Sequence, residues 1–98
     1  MPDGADRVWR AISGRARLDV LRALLVSGPM TSRALADETG LSAATIQTVM
    51  TQLEALEYVS ASHPVGRRKG KPVVFSVDQA RFDDDMRLLG AWLGRDLH

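Results

Sequence analysis

Apolar residues recur every three or four positions over most of the chain, which predicts amphipathic helices. Four such segments come first along the chain: residues 6–13, 16–27, 31–40 and 42–56. Gly28 and Gly40 are typical of helix C-termini, and Thr31 and Ser42 are typical N-cap residues. The pattern therefore predicts a run of four helices with short connections.

The apolar spacing changes after residue 57. Residues 58–62 and 73–77 have the composition of β-strands, and the polar loop 63–72 between them contains two glycines and two prolines. These segments predict a β-hairpin with an extended tip, which we call the wing. A last helix is predicted from residue 78 to about 96. The fold class is thus mainly α with a small β-hairpin, in the order α-α-α-α-β-β-α.

The two central helices have the spacing of a helix-turn-helix. Ala36 is small where two helices would cross, Gly40 can adopt the left-handed conformation of a sharp turn, and Leu41 can fill the space beneath it. Ile46 would fasten the second helix to the core and leave its N-terminal turn free to enter a DNA major groove. The alternative is a helical hairpin with no role in nucleic-acid binding.

Residues 14–77 resemble the winged helix-turn-helix of bacterial transcriptional regulators of the ArsR and MarR type. The stretch 15–24 is similar to the helix that precedes their motif, and the run from Leu35 to Leu53 matches their consensus without a gap. The resemblance implies a single domain over 1–98, with a DNA-binding core at 14–77 and dimerisation helices at 5–13 and 78–98. Two departures are a recognition helix without Lys or Arg over 42–56 and a longer wing.

The distribution of charge changes the meaning of a net charge of only +1 over 98 residues. Residues 1–30 carry +2, 31–62 carry −3, 63–77 carry +4 and 78–98 carry −2. The positive residues of the wing tip are Arg67, Arg68, Lys69 and Lys71. Such side chains neutralise phosphates, and an arginine can enter a narrow minor groove. The alternative is a solvated charged loop.

The exposed face of the predicted recognition helix carries side chains that can read bases. Gln47 could bond adenine N6 and N7, alanines suit a thymine methyl, and threonine hydroxyls could reach bases or phosphates. Arg17 and Arg33 are either phosphate contacts or members of surface ion pairs. Besides the wing tip, the predicted DNA contacts are Thr31, Arg33, Ser42, Ala43, Ala44, Thr45, Gln47, Thr48 and Thr51.

Both tryptophans lie in the flanking segments. The resemblance implies that these segments form a two-fold dimer, with DNA half-sites about one turn apart. The predicted interface residues are Val8, Trp9, Ile12, Met86, Leu89, Trp92 and Leu93. The alternative is that they close the core of the single chain.

Other kinds of function have little support. The absence of cysteine excludes thiolate metal sites and disulfides, and the two histidines, His63 and His98, lie in a loop and at the last position. Asp83-Asp84-Asp85 is interpreted as a helix-start cluster that favours the N-terminal dipole. We expect no enzymatic activity, no cofactor, no metal and no membrane association, and a cytoplasmic location. No residue identifies a small-molecule effector.

The sequence thus predicts a homodimeric, sequence-specific regulator that binds double-stranded DNA and acts as a repressor. Two alternatives stay open. One is a protein–protein interaction module that keeps the winged-helix fold, which the lack of Lys and Arg on the recognition helix favours. The other is a DNA-binding accessory factor of a mobile element.

Overall fold

The helix order predicted from the apolar spacing is present in the computed structural model, which describes residues 1–63 and 72–95. The helices in that part of the chain are α1 (Asp3–Ile12), α2 (Arg15–Ser27), α3 (Ser32–Thr39), α4 (Ala43–Ala55) and α5 (Gln79–Trp92). The strands are β1 (Met30–Thr31), β2 (Val59–Ala61) and β3 (Val74–Val77). The predicted fold, mainly helical with a small sheet, is confirmed.

Side-chain caps set the start of three helices. The side chain of Thr31 accepts a hydrogen bond from the backbone N–H of Ala34, and that of Ser42 accepts one from Thr45. The side chain of Asp78 caps α5 in the same way. Each bond satisfies a backbone N–H that the first turn of a helix leaves without a partner. The two N-caps predicted for the helix-turn-helix are therefore confirmed.

Gly40 makes the turn between α3 and α4. Its φ is +76°, in the left-handed region, and its N–H donates to the carbonyl of Ala36 at the end of α3. A residue with a side chain would be strained here, because a Cβ crowds the following carbonyl in this conformation. The sharp turn sends α4 off in a new direction while α3 and α4 stay packed together.

The sheet has one strand more than the sequence predicted. β3 lies in the middle and pairs antiparallel with β2 and with β1, so that Val59 faces Val77 and Met30 faces Phe75. β1 is two residues long, too short to produce an alternating pattern in the sequence. It ties the start of α3 to the stem of the wing.

The core lies between α2, α3, α4 and the sheet and extends to α1 and α5, which contribute Val8 and Leu89. The buried face of α4 consists of Ile46, which was predicted to fasten the helix to the core, and of Val49, Met50 and Leu53, and α3 contributes Leu35. Tyr58, which precedes β2, is fully buried and makes an edge-to-face contact with Phe82, with ring centroids 5.7 Å apart. This packing fixes α4 by one face and leaves its opposite face to solvent.

α5 is shorter than predicted. It ends at Trp92 instead of about residue 96, and Gly94 follows with a φ of +78°. Four apolar residues recur at helical spacing in this segment. Phe82, Met86 and Leu89 pack in or against the core, whereas Leu93 lies beyond the helix with an exposed side chain. A left-handed glycine is a common helix stop, and the apolar spacing does not register it.

A buried ion pair holds α1 against α5. The guanidinium of Arg7 donates to both carboxylate oxygens of Asp85, at 2.9 and 3.2 Å, and the Tyr58 hydroxyl donates to the same carboxylate at 2.6 Å. Burial alone would raise the pKa of Asp85, but the hydrogen bonds from Arg7 and Tyr58 outweigh it and lower that pKa. Burial, followed by the bond to Asp85, raises the pKa of Tyr58.

Asp85 therefore corrects the interpretation of the acidic cluster. None of the three aspartates lies in the first turn of α5, so the cluster is not a set of dipole partners at the helix start. Asp83 and Asp84 are exposed, whereas Asp85 points inward and links α5 to α1 and to the residue before β2.

Candidate nucleic-acid interface

The solvent-facing side of α4 is the centre of the candidate interface. Because the core holds the opposite side, the α4 residues predicted to contact DNA are at the surface. Ala43, Ala44, Gln47, Thr48 and Thr51 are exposed, and Thr45 is half-buried. The surface they form is narrow and has only small side chains apart from Gln47, which is the shape that allows a helix to approach base edges closely.

Several predicted contact residues are engaged within their own helix. The Thr48 hydroxyl donates to the carbonyl of Ala44 at 3.1 Å, and the Thr51 hydroxyl donates to the carbonyl of Gln47 at 3.0 Å. In these rotamers both hydroxyls offer acceptor lone pairs outward and no proton. Ser42 is occupied in capping, since its hydroxyl accepts from the N–H of Thr45 and donates to the Thr45 hydroxyl.

Gln47 differs from these neighbours. Its side-chain amide has no hydrogen-bond partner anywhere in residues 1–63 and 72–95, and its side chain is exposed. An amide group can donate and accept at once, which matches the adenine edge in the major groove. Gln47 is therefore the side chain on this face best able to distinguish one base pair from another.

Positively charged side chains near this surface lie beside α4 and not on it. Residues 42–56 contain one charged residue, Glu54, and no Lys or Arg. Arg33 lies on the first turn of α3 with an exposed side chain and forms no ion pair with the described residues. It stands close to the N-cap Thr31, whose side chain is half-buried and bonded to Ala34. Phosphate neutralisation has to come from such flanking residues.

Arg17 has partners that neither prediction named. Its Nε donates to the backbone carbonyl of Arg10 at 3.0 Å, and its Nη1 donates to Oε1 of Gln52 at 3.1 Å. It forms no ion pair within the part of the chain that the structure covers. No sequence signal pointed to Gln52, which lies 35 positions away.

The stem of the wing is formed as predicted. Beyond β2, the N–H of Ser62 donates to the carbonyl of Val74 at 2.9 Å, and the Ser62 hydroxyl accepts from the N–H of Val74. The predicted basic contacts Arg67, Arg68, Lys69 and Lys71 lie outside the described residues. The last described residues on either side, His63 and Pro72, mark where that segment leaves and rejoins the stem.

Two grooves run along the sides of α4. One has a volume of about 430 Å³ and lies between α4 and the start of α2, with Gly14, Arg15, Thr45 and Thr48 in its walls. The other, about 170 Å³, lies between α4 and β3. Both border the face that carries Gln47 and Thr48.

The predicted dimer residues separate into three groups by burial. Val8 and Leu89 are buried in the core of the single chain, so they are not available to a partner and the prediction is corrected for them. Ile12 and Met86 are half-buried against that core. Trp9, Trp92 and Leu93 keep 51%, 53% and 61% of their surface exposed. The sequence could not separate these groups, because all seven residues are apolar and lie on helical stripes.

The described residues offer little to other kinds of chemistry. They bring no three His, Cys, Asp or Glu side chains together in a metal-binding arrangement. No helix in this part of the chain combines the length and the apolar character needed to cross a membrane.

Comparisons with known proteins agree with this architecture. The structure is similar to that of NolR from Sinorhizobium fredii, at 29% identity and a TM-score of 0.65, over 92% of this chain and 81% of NolR. It is also similar to a homodimeric winged helix-turn-helix DNA-binding domain from Mycobacterium bovis, a possible ArsR-family transcriptional regulator, at 24% identity. That match has a TM-score of 0.65 and covers 88% of this chain and 75% of the other.

A third similar structure is an ArsR family transcriptional regulator at 18% identity, with a TM-score of 0.68, over 94% of this chain and 90% of the other. No curated protein sequence matches the chain significantly. The model of the MarR family matches residues 14–69, which include α2, the helix-turn-helix and β2. The resemblance expected from the sequence is confirmed: the chain shares the winged helix-turn-helix fold of these structures and belongs to the MarR family.

Proposed function

We propose that this protein is a sequence-specific DNA-binding repressor that inserts the N-terminal half of α4 into the major groove. The observation that carries the proposal is the exposed face of α4, which presents the Gln47 amide, without a hydrogen-bond partner among the described residues, amid small side chains. The buried face of α4 is fixed by Ile46, Val49 and Leu53, so this surface is rigid before DNA arrives. A preorganised surface loses less entropy on binding.

In this proposal, base contacts and phosphate contacts come from different elements. Gln47 reads an adenine, Ala43 and Ala44 pack on thymine methyl groups, and Thr48 and Thr51 accept hydrogen bonds. Thr31, Arg33, Ser42 and Thr45 lie at or near the N-termini of α3 and α4, where backbone N–H groups and the helix dipole favour a phosphate. The wing residues Arg67, Arg68, Lys69 and Lys71 bind the backbone or the minor groove and supply charge that α4 lacks.

The functional unit in this proposal is a homodimer of a single domain over 1–98, with its DNA-binding core at 14–77. Trp9, Trp92 and Leu93 supply the interface, because their exposed apolar surface lies on or just after the flanking helices α1 and α5. The homodimeric state of the similar domain from Mycobacterium bovis supports this arrangement. We expect Trp92→Ser to shift sedimentation from dimer to monomer, while Leu18→Ser, on exposed apolar surface of α2, leaves it unchanged.

Selection of bound duplexes from a random-sequence pool, followed by titration of variants, tests the division of labour. Gln47→Ala should relax specificity at one position of the selected site and cost about 1–3 kcal/mol. Gln79→Ala, exposed at the start of α5, is the matched control. Arg68→Ala should instead weaken binding to every sequence and reduce the salt slope by about 1. Equal, sequence-independent losses from both variants would refute the proposed roles.

Repression and location need measurements in cells. A reporter placed behind the selected sequence should be silenced by the wild-type protein and released by Gln47→Ala. We expect the protein in the cytoplasm, where its DNA target is accessible. A reporter that rises with the wild-type protein would show an activator instead.

The lack of positive charge on the recognition helix favours one second candidate, a protein–protein module that keeps the winged-helix fold. Residues 42–56 hold no Lys or Arg, whereas protein–DNA interfaces are usually strongly basic. A gel shift at low and at physiological salt separates the two candidates. A salt-sensitive shift supports the repressor, and the absence of any shift at low salt supports the module.

A further inference from the structure

The Arg17 side chain joins three helices at a point close to α4. It originates on the first turn of α2, donates to the carbonyl of Arg10 in the last turn of α1, and donates to the Gln52 amide oxygen on α4. Carbonyls in the last turn of a helix have no partner within the helix, so the Arg10 carbonyl is an acceptor that α1 leaves open. The planar guanidinium holds both partners in one geometry, because its N–H groups point in fixed directions.

Gly14 leaves the space that the guanidinium occupies. A Cβ built on Gly14 would lie 2.5 Å from Cζ and 3.0 Å from Nε of Arg17. The backbone of Gly14 is extended, with φ −95° and ψ 125°, which any residue can adopt. A side chain at position 14 would therefore displace the Arg17 guanidinium from this place, although the backbone conformation itself would accept it.

Gln52 connects this contact to the surface proposed to read DNA. Residues four apart on a helix lie on the same side, so Gln52 follows Thr48 and Ala44 along one edge of α4. The Arg17–Gln52 pair also lies between two grooves. One is the groove of about 430 Å³ that contains Thr48, and the other is a third groove beside α4, of about 420 Å³, that contains Ala55. This hydrogen-bonded pair, which we call the strut, thus connects the start of α2 to α4 and sets the distance between them.

We propose that Arg17 is a positioning residue for DNA recognition, which holds α4 at a fixed angle to α1 and α2 and does not neutralise a phosphate. The inference rests on the proposed function. Since α1 also carries Trp9 of the proposed dimer interface, the same contact links the placement of α1 to that of the recognition helix. Two of the five guanidinium N–H groups donate to protein acceptors on α1 and α4, and these two bonds are the observation that assigns Arg17 a positioning role.

Two variants separate positioning from phosphate binding. Arg17→Gln removes the strut and one positive charge, whereas Gly14→Ala displaces the guanidinium and keeps the charge. Arg15→Gln is the matched control, because Arg15 is two residues away, fully charged, and bonded only to Asp19 within the described residues. Gln52→Leu removes the acceptor without crowding Arg17, which covers the case that Gly14→Ala does not fold.

The binding measurement uses two duplexes of equal length, one selected by the wild-type protein and one of random sequence, titrated by fluorescence anisotropy at several salt concentrations. Arg17→Gln, Gly14→Ala and Gln52→Leu should each lose roughly threefold to tenfold in affinity for the selected duplex, the worth of one or two hydrogen bonds. Arg17→Gln should bind the random duplex as Arg15→Gln does and with the same salt slope, since each variant lacks one positive charge. Gly14→Ala and Gln52→Leu, which keep that charge, should match the wild-type protein in both measurements. Equal losses on both duplexes with a slope smaller by about 0.9 would identify Arg17 as a phosphate contact and overturn the inference.

A second measurement does not depend on DNA. Amide hydrogen exchange of the free protein should be faster in the C-terminal half of α4 in Arg17→Gln and in Gln52→Leu than in Arg15→Gln. Unchanged exchange in α4 would overturn the strut. If the wild-type protein selects no sequence, the proposed function fails, and the exchange experiment still decides whether Arg17 holds α4.

Discussion

Replacing Asp85 by alanine should destabilise the protein more than replacing any other Asp or Glu of its helices. Asp85 is 4% exposed and accepts hydrogen bonds from Arg7 and from Tyr58. Removing it leaves the buried Tyr58 hydroxyl without its acceptor and Arg7 without its counter-ion. Breaking a buried ion pair by deleting one partner costs about 3–5 kcal/mol. The Arg7 side chain keeps 30% exposure and can recover water contacts, so we expect the lower end, about 3 kcal/mol.

The assay is urea unfolding followed by circular dichroism, at one fixed protomer concentration, because the stability of a dimer depends on concentration. For a chain of this size, about 3 kcal/mol corresponds to a decrease in Tm of roughly 12–24 °C. Asp84→Ala is the matched control, since Asp84 is the preceding residue of α5 and its bond to Arg87 is exposed. Such exposed pairs contribute about 0–1 kcal/mol. A loss from Asp85→Ala no larger than that of the control would refute the reasoning.

The pH dependence gives a second check on the same group. The pKa of Asp85 is lower in the folded chain, so the folded state binds this proton less readily than the unfolded state. Its stabilisation is complete above the unfolded pKa of about 3.9 and is lost as pH falls through the folded pKa. The difference in unfolding free energy between wild type and Asp85→Ala should therefore shrink below about pH 4. A difference that stays constant down to the acid limit would contradict the ion-pair account.

Three further changes have expected outcomes. Gly40→Ala should cost about 1–2 kcal/mol in urea unfolding, because its φ of +76° is strained for alanine although its surroundings are open; Gly40→Asn should cost less. Gly4→Ala should cost about 1–3 kcal/mol, because the new Cβ would lie 2.5 Å from the Asp85 carboxylate; a gain in stability from better helix propensity would contradict this close packing. Tyr58 is the only tyrosine, and its pKa is raised in the folded chain, so the contribution of its protonated hydroxyl to the free energy of unfolding should be complete below about pH 10 and decline above it. Ultraviolet titration that shows ordinary ionisation of this tyrosine in the folded protein would contradict the prediction.

The local signals in the sequence were sufficient for the elements of the DNA-binding core. Thr31, Ser42 and Gly40 each act within one helical turn, so their effect does not depend on the rest of the fold. The apolar stripe of α4 likewise identified its buried face, because a period of 3.6 residues leaves only one side for the core. The residues of the candidate base-reading surface then follow by elimination, as the side of α4 that the stripe does not occupy.

β1 and the end of α5 were missed for related reasons. β1 has only two residues and forms because β3 offers it a free edge, which is a property of the assembled sheet. α5 stops at Trp92 although apolar spacing continues to Leu93, because Gly94 takes a left-handed conformation there. Neither the pairing partner nor the backbone conformation is encoded in the periodicity of the segment itself.

The order of the helices, the caps of the helix-turn-helix and the exposed face of α4 depend on neighbouring residues along the chain, so they could be predicted from the sequence. The packing of the helices decided which flanking residues stay exposed, as Trp9 does and Val8 does not. It also decided that Asp85 pairs with Arg7, 78 positions away, and that Arg17 meets Gln52. Such contacts join residues distant in sequence, and their formation depends on how whole helices pack.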